Sequence, residues 1–141
     1  FWYGCKKHTS VDMQSGMINK VAITHKASII DSKGMKHVIP NQGAVYADQG
    51  YCDKHAKAVA AKRDLHLAAM KKNNMKDKNK DLDKWYCKLR SPYERVCSKT
   101  RKRVRYQGIA KNQFTAFMEA ISHNFKRIVV LNELYPPPKI S

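Results

Sequence analysis

Apolar residues dominate the first few positions of the chain, and polar ones enter from Lys6. Residues 1–12 are rich in aromatic and β-branched types, and "MINKVAIT" (17–24) is strand-like again. Between them "DMQSG" (12–16) ends in glycine, so the first 24 residues predict a β-hairpin. "SIIDSKGMKHVI" (28–39) predicts a short helix broken at Gly34 and closed by Pro40. "GAVYAD" (43–48) predicts a short strand running into "QGY", where Gly50 permits a sharp turn. Asp53 is placed to cap an alanine-rich helix, "KHAKAVAAKRD", because Ala loses no side-chain entropy on becoming helical. "LHLAAM" (65–70) reads as another strand, and "KKNNMKDKNKDLDK" (71–84) has no period and reads as a solvated loop. From Leu82 to about Thr100 the pattern is helical with an interruption near Pro92. Phe114, Phe117, Met118, Ile121, Phe125, Ile128 and Val129 then recur at offsets of three and four, the stripe of an amphipathic helix covering a core. "PPP" at 136–138 ends that helix. Hairpin, strand, helix, strand and then helices predict one mixed α/β domain over 1–135 with a short tail, 136–141.

Composition narrows the partners. The 141 residues fit one domain, and 43% hydrophobic content supports a packed fold. Lys and Arg number 28 against 11 Asp and Glu, a net charge of +17. Such an excess favours a polyanion, with nucleic acid the first candidate. No apolar run approaches the ~18 residues of a membrane span. The four cysteines read as free thiols in a reducing, cytoplasmic setting. Residue 1 is Phe rather than Met, which reads as a partial chain lacking its N-terminal part.

Four constellations carry candidate chemistry. Cys5/His8 and Cys52/His55 share a C-x2-H spacing that two pairs would need to hold zinc, although strand geometry points residues three apart to opposite faces. "KTRKRVR" (99–105) carries one sign of charge throughout, so phosphate binding competes there with a solvated helix face. Asp48 ends an apolar strand before a glycine turn, and is either a turn aspartate or a carboxylate at the strand end where α/β sheets place chemistry. Glu94 is the only acid in the window 84–118, against ten Lys or Arg. It fits either a capping box begun by Ser91 and Pro92 or a carboxylate to which a basic surface delivers its ligand.

"HTSVDMQSGMINKV", "YADQGY" and "RSPYERV…RVRYQGIAKN" resemble, in this order, the C-terminal two-thirds of the catalytic domain of bacterial insertion-sequence transposases of the DDE class. The similarity runs from about residue 3 to residue 131 and implies a ribonuclease H-like mixed sheet flanked by helices. In that family "ADQGY" carries the second catalytic aspartate, here Asp48. The third acid sits in an Arg-x3-Glu-x6-Lys pattern, matched by Arg90, Glu94 and Arg101, with Arg in place of the usual Lys. The tyrosine usual three residues before that arginine is replaced by Cys87, with Tyr86 one place off. The resemblance implies DNA strand cleavage and transfer using Mg2+ (or Mn2+) held by Asp48 and Glu94. It makes Arg90, Lys99, Arg101, Lys102, Arg103 and Arg105 contacts to DNA phosphates, at transposon ends and target, and it admits a homodimer on DNA. Hard carboxylate oxygens, rather than the thiols, suit magnesium. The family's first aspartate precedes the hairpin, so the resemblance implies a chain that lacks it and is inactive alone; Asp12 takes the hairpin's "VD" position. The rival reading is a non-catalytic basic module that binds nucleic acid by charge.

Overall fold

A computed structural model describes residues 4–25, 30–76, 78–98 and 108–136, without the Cys97 side chain. Strands β1 (Lys6–Val11) and β2 (Ile18–Thr24) form the expected antiparallel hairpin, with a register shift between Ser10 and Val11. Its turn is closed by backbone bonds from Asp12 N–H to Met17 and from Gly16 N–H to Asp12, and Gly16 adopts φ 72° there. Helix α1 (Asp31–Val38) follows, then β3 (Ala44–Ala47), one 3-10 turn (Gln49–Tyr51), α2 (Lys54–Ala61) and β4 (His66–Ala69). Strands β3 and β4 pair in parallel, so the described strands form two separate pairs. Two long helices complete the order, α3 (Lys80–Ser98) and α4 (Ile109–Leu134). The arrangement is mixed α/β and agrees with the ribonuclease H-like class expected.

The core lies between α1, α2 and the β3/β4 pair. Met35, Ile39, Ala56, Ala60 and Leu65 are buried there, with Val45, Tyr51, Val59 and Leu67 packed against them. A fully buried side chain of Ile or Met size contributes about 1.5–3 kcal/mol, so this small cluster must hold much of the fold. Asp53 caps α2 as expected, accepting from Ala56 N–H at 2.7 Å.

Three expectations need correction. Helix α1 runs through Gly34 unbroken, because the missing Cβ makes room for the buried His8 ring. Helix α3 likewise runs through Pro92, so Ser91 does not start a helix and Glu94 is no capping-box member. Its start is earlier, where the Asn79 side chain accepts from Asp81 and Leu82 N–H. The aromatic stripe of α4 is exposed among the described residues: Phe114 and Phe125 are each 65% exposed. The helix buries Asn112, Ala116 and Ala120 instead. Small residues let the helix backbone approach the hairpin closely, and polar neighbours on that face then reach its edge. Gln113 Oε1 accepts from Ile23 N–H at 2.8 Å, and its Nε2 donates to the Val21 carbonyl at 3.1 Å. Asn124 does the same for both backbone groups of Ile18.

Candidate metal centre

Helix α3 docks on β3 through a ring cluster. Tyr46 packs edge-on against Trp85 and Tyr86, with centroids 6.2 and 6.0 Å away. Tyr86, Arg90 and Glu94 are four residues apart, so one ridge of the helix carries all three over the C-terminal end of β3. At that end Asp48 caps the 3-10 turn by accepting from Gln49 N–H at 2.6 Å. The turn aspartate and the strand-end carboxylate are thus the same geometry, because one Asp48 oxygen caps while the side chain stays 60% exposed.

The Arg90 guanidinium joins the two acids. Its Nη2 lies 3.1 Å from Glu94 Oε1 and its Nη1 lies 3.6 Å from Asp48 Oδ1. Arg90 is the sheltered member at 17% side-chain exposure, against 57% for Glu94. Two carboxylates from distant elements therefore converge on one cation. All three residues line a trough of about 1610 Å³ that also meets β1, β3 and the hairpin turn.

Asp12 lines the same trough, but its carboxylate serves the hairpin turn. It accepts from Ser15 N–H at 2.7 Å and from Ser15 Oγ at 2.5 Å. These bonds, the hydroxyl's first, hold it below the usual carboxylate range. Among the described residues no three His, Cys, Asp or Glu side chains come together as a cluster. The C-x2-H pairs are likewise dispersed. His8 is buried, its ring nitrogens 3.1 Å from Thr24 Oγ1 and 3.3 Å from Tyr51 Oη. Cys52 is buried against Met75 Sδ at 3.7 Å, whereas Cys5 and His55 are exposed.

Hard carboxylate oxygens in this number suit magnesium, which is commonly held by one or two carboxylates completed by water and substrate phosphate. Asp48 and Glu94 fit that requirement, with Arg90 as the competing cation. Lys99, Arg101, Lys102, Arg103 and Arg105 lie outside the described residues. Cations absent from the sequence expectation do gather elsewhere. Arg95, Lys126 and Arg127 line a second groove between the hairpin turn, α3 and α4. Arg127 Nε donates to the Ser15 carbonyl at 2.5 Å and Tyr93 Oη donates to the Met13 carbonyl, so both long helices grip the turn. The resemblance named Arg90 and Glu94, and their i, i+4 spacing brings them together once α3 runs unbroken through Pro92. Nothing local indicated that Asp48 would join them.

No helix among the described residues is long and apolar enough to cross a membrane. No match was found among curated proteins or solved structures. The family model of the transposase DDE domain matches residues 1–140, and the chain belongs to that family.

Proposed function

We propose that this chain provides metal-dependent DNA strand cleavage and transfer, with Asp48 and Glu94 as its ligands to Mg2+ (or Mn2+). The observation that carries the reading is the convergence of these two carboxylates, from β3 and α3, on Arg90 at one wall of the trough. A divalent cation bound there would activate water or a 3′-hydroxyl and stabilise the leaving oxygen of a phosphodiester. The chain's own residues supply the rest. Asp48 is fixed by its bond to Gln49 N–H, and Glu94 by the ring contacts that seat α3 on β3. Arg90 occupies the place between the two carboxylates that a divalent cation would take, and faces incoming phosphate once either acid turns away from it. The net charge of +17 draws DNA towards acids it would otherwise avoid. Lys99, Arg101, Lys102, Arg103 and Arg105 are proposed phosphate contacts, and a homodimer on DNA suits a reaction on two transposon ends. With two acids the chain alone should bind metal weakly and leave DNA uncut.

The test is Mn2+ binding by the 141-residue chain, followed by electron paramagnetic resonance, beside a DNA-binding titration. Asp48→Asn and Glu94→Gln should each weaken Mn2+ binding at least tenfold, while Asp12→Asn leaves it unchanged and all three keep their DNA affinity. Unaltered Mn2+ binding in both site variants would overturn the assignment and leave the basic nucleic-acid module as the better reading.

A further inference from the structure

We propose that the outward face of α4 is the seam of a homodimer, in which two copies of this chain lie antiparallel about a two-fold axis passing beside Ile121. The pairing is apolar and needs neither DNA nor a metal ion. It gives the homodimer of the proposed function a surface, yet stands or falls apart from the catalytic reading.

Helix α4 uses one side to grip the hairpin, where Ala116 and Ala120 are buried and Gln113 and Asn124 bond β2. The opposite side keeps its large apolar residues in water: Phe114 and Phe125 are each 65% exposed, Phe117 48% and Ile121 46%. Met118, Ile128 and Val129 continue the same face at 46%, 39% and 57%. With about 200 Å² for a side chain of this size and half of it covered, the face leaves on the order of 700 Å² of apolar surface per copy. The largest apolar patch on a monomer is usually about 300–600 Å². Two such faces brought together would hide up to about 1,400 Å², the size of a stable specific interface.

The spacing selects a second copy as the occupant. Phe117 and Phe125 lie four residues before and after Ile121, and Phe114 and Ile128 lie seven before and after it. The stripe therefore reads the same in both directions, as a two-fold interface requires, because there each patch meets itself. In an antiparallel pair centred on Ile121, Phe117 shares a level with the partner's Phe125, and Phe114 with the partner's Ile128. At 3.6 residues per turn, Phe117 stands roughly 40° to one side of the Ile121 line and Phe125 roughly 40° to the other. The two rings then pass side by side instead of colliding, in the manner of knobs entering holes. The charged residues of this stretch turn elsewhere. Glu119 pairs with Lys7, Arg127 donates to the Ser15 carbonyl, and Lys126 lines the groove beside α3. A nucleic acid would find no cation on the stripe, and a lipid surface has no use for a symmetric one. The trough with Asp48 and Glu94 stays open in the pair, because α4 borders it with Asn112, Ala116 and Glu119.

The test is sedimentation velocity on the 141-residue chain without DNA or divalent cation. The parent should be dimeric at concentrations on the order of 50 μM. Two copies of net charge +17 repel, so the dimer should tighten several-fold as salt rises from about 0.1 to about 0.5 M, opposite in sign to DNA binding. Ile121→Lys sets two like charges against each other on the axis and should weaken dimerisation roughly a hundredfold, as should Ile121→Glu. An equimolar mixture of the two variants should recover the dimer, because position 121 faces only itself across the axis; recovery also shows that both are folded. Leu134→Lys, off the stripe, should leave the dimer intact. Ile121→Lys should keep the parent's Mn2+ binding, so the seam and the catalytic reading fail separately. The proposal is overturned by a monomeric parent, by a dimer that Ile121→Lys leaves intact, or by a mixture that stays monomeric. A monomeric parent that binds vesicles of phosphatidylcholine and phosphatidylserine overturns it too, and makes a lipid surface the occupant.

Discussion

Gly34→Ala sets helix propensity against packing. In an isolated helix Ala is better than Gly by about 1 kcal/mol. Here an added Cβ would lie 2.2 Å from His8 Cε1, 2.3 Å from Nε2 and 2.5 Å from Nδ1. The ring is 2% exposed, and it is held between Thr24 and Tyr51. It must shift or the helix must lift away. Losing both hydrogen bonds costs about 2 kcal/mol together, and overpacking a tight site costs about 1–3 kcal/mol. After the gain in propensity, the net loss is about 2–4 kcal/mol. Urea unfolding of the parent and the variant measures it. The double-mutant cycle with His8→Ala is the sharper readout, because neighbours in contact do not add. In the His8→Ala background the same substitution should be neutral or stabilising. A Gly34→Ala chain as stable as its parent, or an equal cost in both backgrounds, refutes the reasoning.

Burial holds His8 below its ordinary value of 6.5; Asp31 pulls it up, and Lys6 and His37 push it down. The unfolded chain therefore takes up that proton at higher pH than the folded one, so stability present above pH 6.5 is lost as pH falls through the folded value. The urea midpoint should drop between pH 7 and pH 5, and drop less in His8→Gln; equal slopes would discount the histidine. Gln113→Leu removes two bonds along β2 and should cost about 1–3 kcal/mol, with faster exchange at the Ile23 amide as its local signature. Unchanged Ile23 exchange would mean that the edge does not depend on α4. Arg90→Gln breaks two ion pairs whose acids are more than half exposed, so it should cost about 1 kcal/mol or less. The same change should tighten Mn2+ binding several-fold by removing a competing cation. Weaker Mn2+ binding in a folded Arg90→Gln chain would show instead that Arg90 positions the ligands.

The hairpin, the order of the following elements and the Asp53 cap were legible because each rests on local signals: turn residues, strand-forming runs and a side chain three residues from its acceptor. The failures came where tertiary contact decided the outcome. Gly34 looked like a helix breaker, yet its role is to admit a ring from β1, and no local pattern announces that. Pro92 looked like a start signal, but the edge-on packing of Tyr46 against Trp85 and Tyr86 commits the chain to helix well before it. The α4 stripe misled because periodicity gives a face without saying which face turns inward. The buried side was chosen by Ala116, Ala120 and the edge-capping amides. For the candidate site, the family resemblance named Asp48, Arg90 and Glu94, whereas the residues by themselves left Glu94 open between a cap and a ligand, because the meeting of the three depends on how α3 crosses β3.

The trough and the candidate metal centre are physically linked. Asp48 and Glu94 line the same space as Thr9 and Tyr46, and both acids now face water. Water weakens every charge interaction in proportion to its dielectric, so a pair of exposed carboxylates attracts a divalent cation only modestly. A DNA phosphate seated in the trough would exclude water from one side of Asp48 and strengthen its interactions with both Arg90 and a cation. DNA occupancy and affinity for the cation should therefore rise together. Mn2+ affinity that is the same with and without bound duplex would separate them, and would mean that the carboxylates stay fully hydrated beside the DNA.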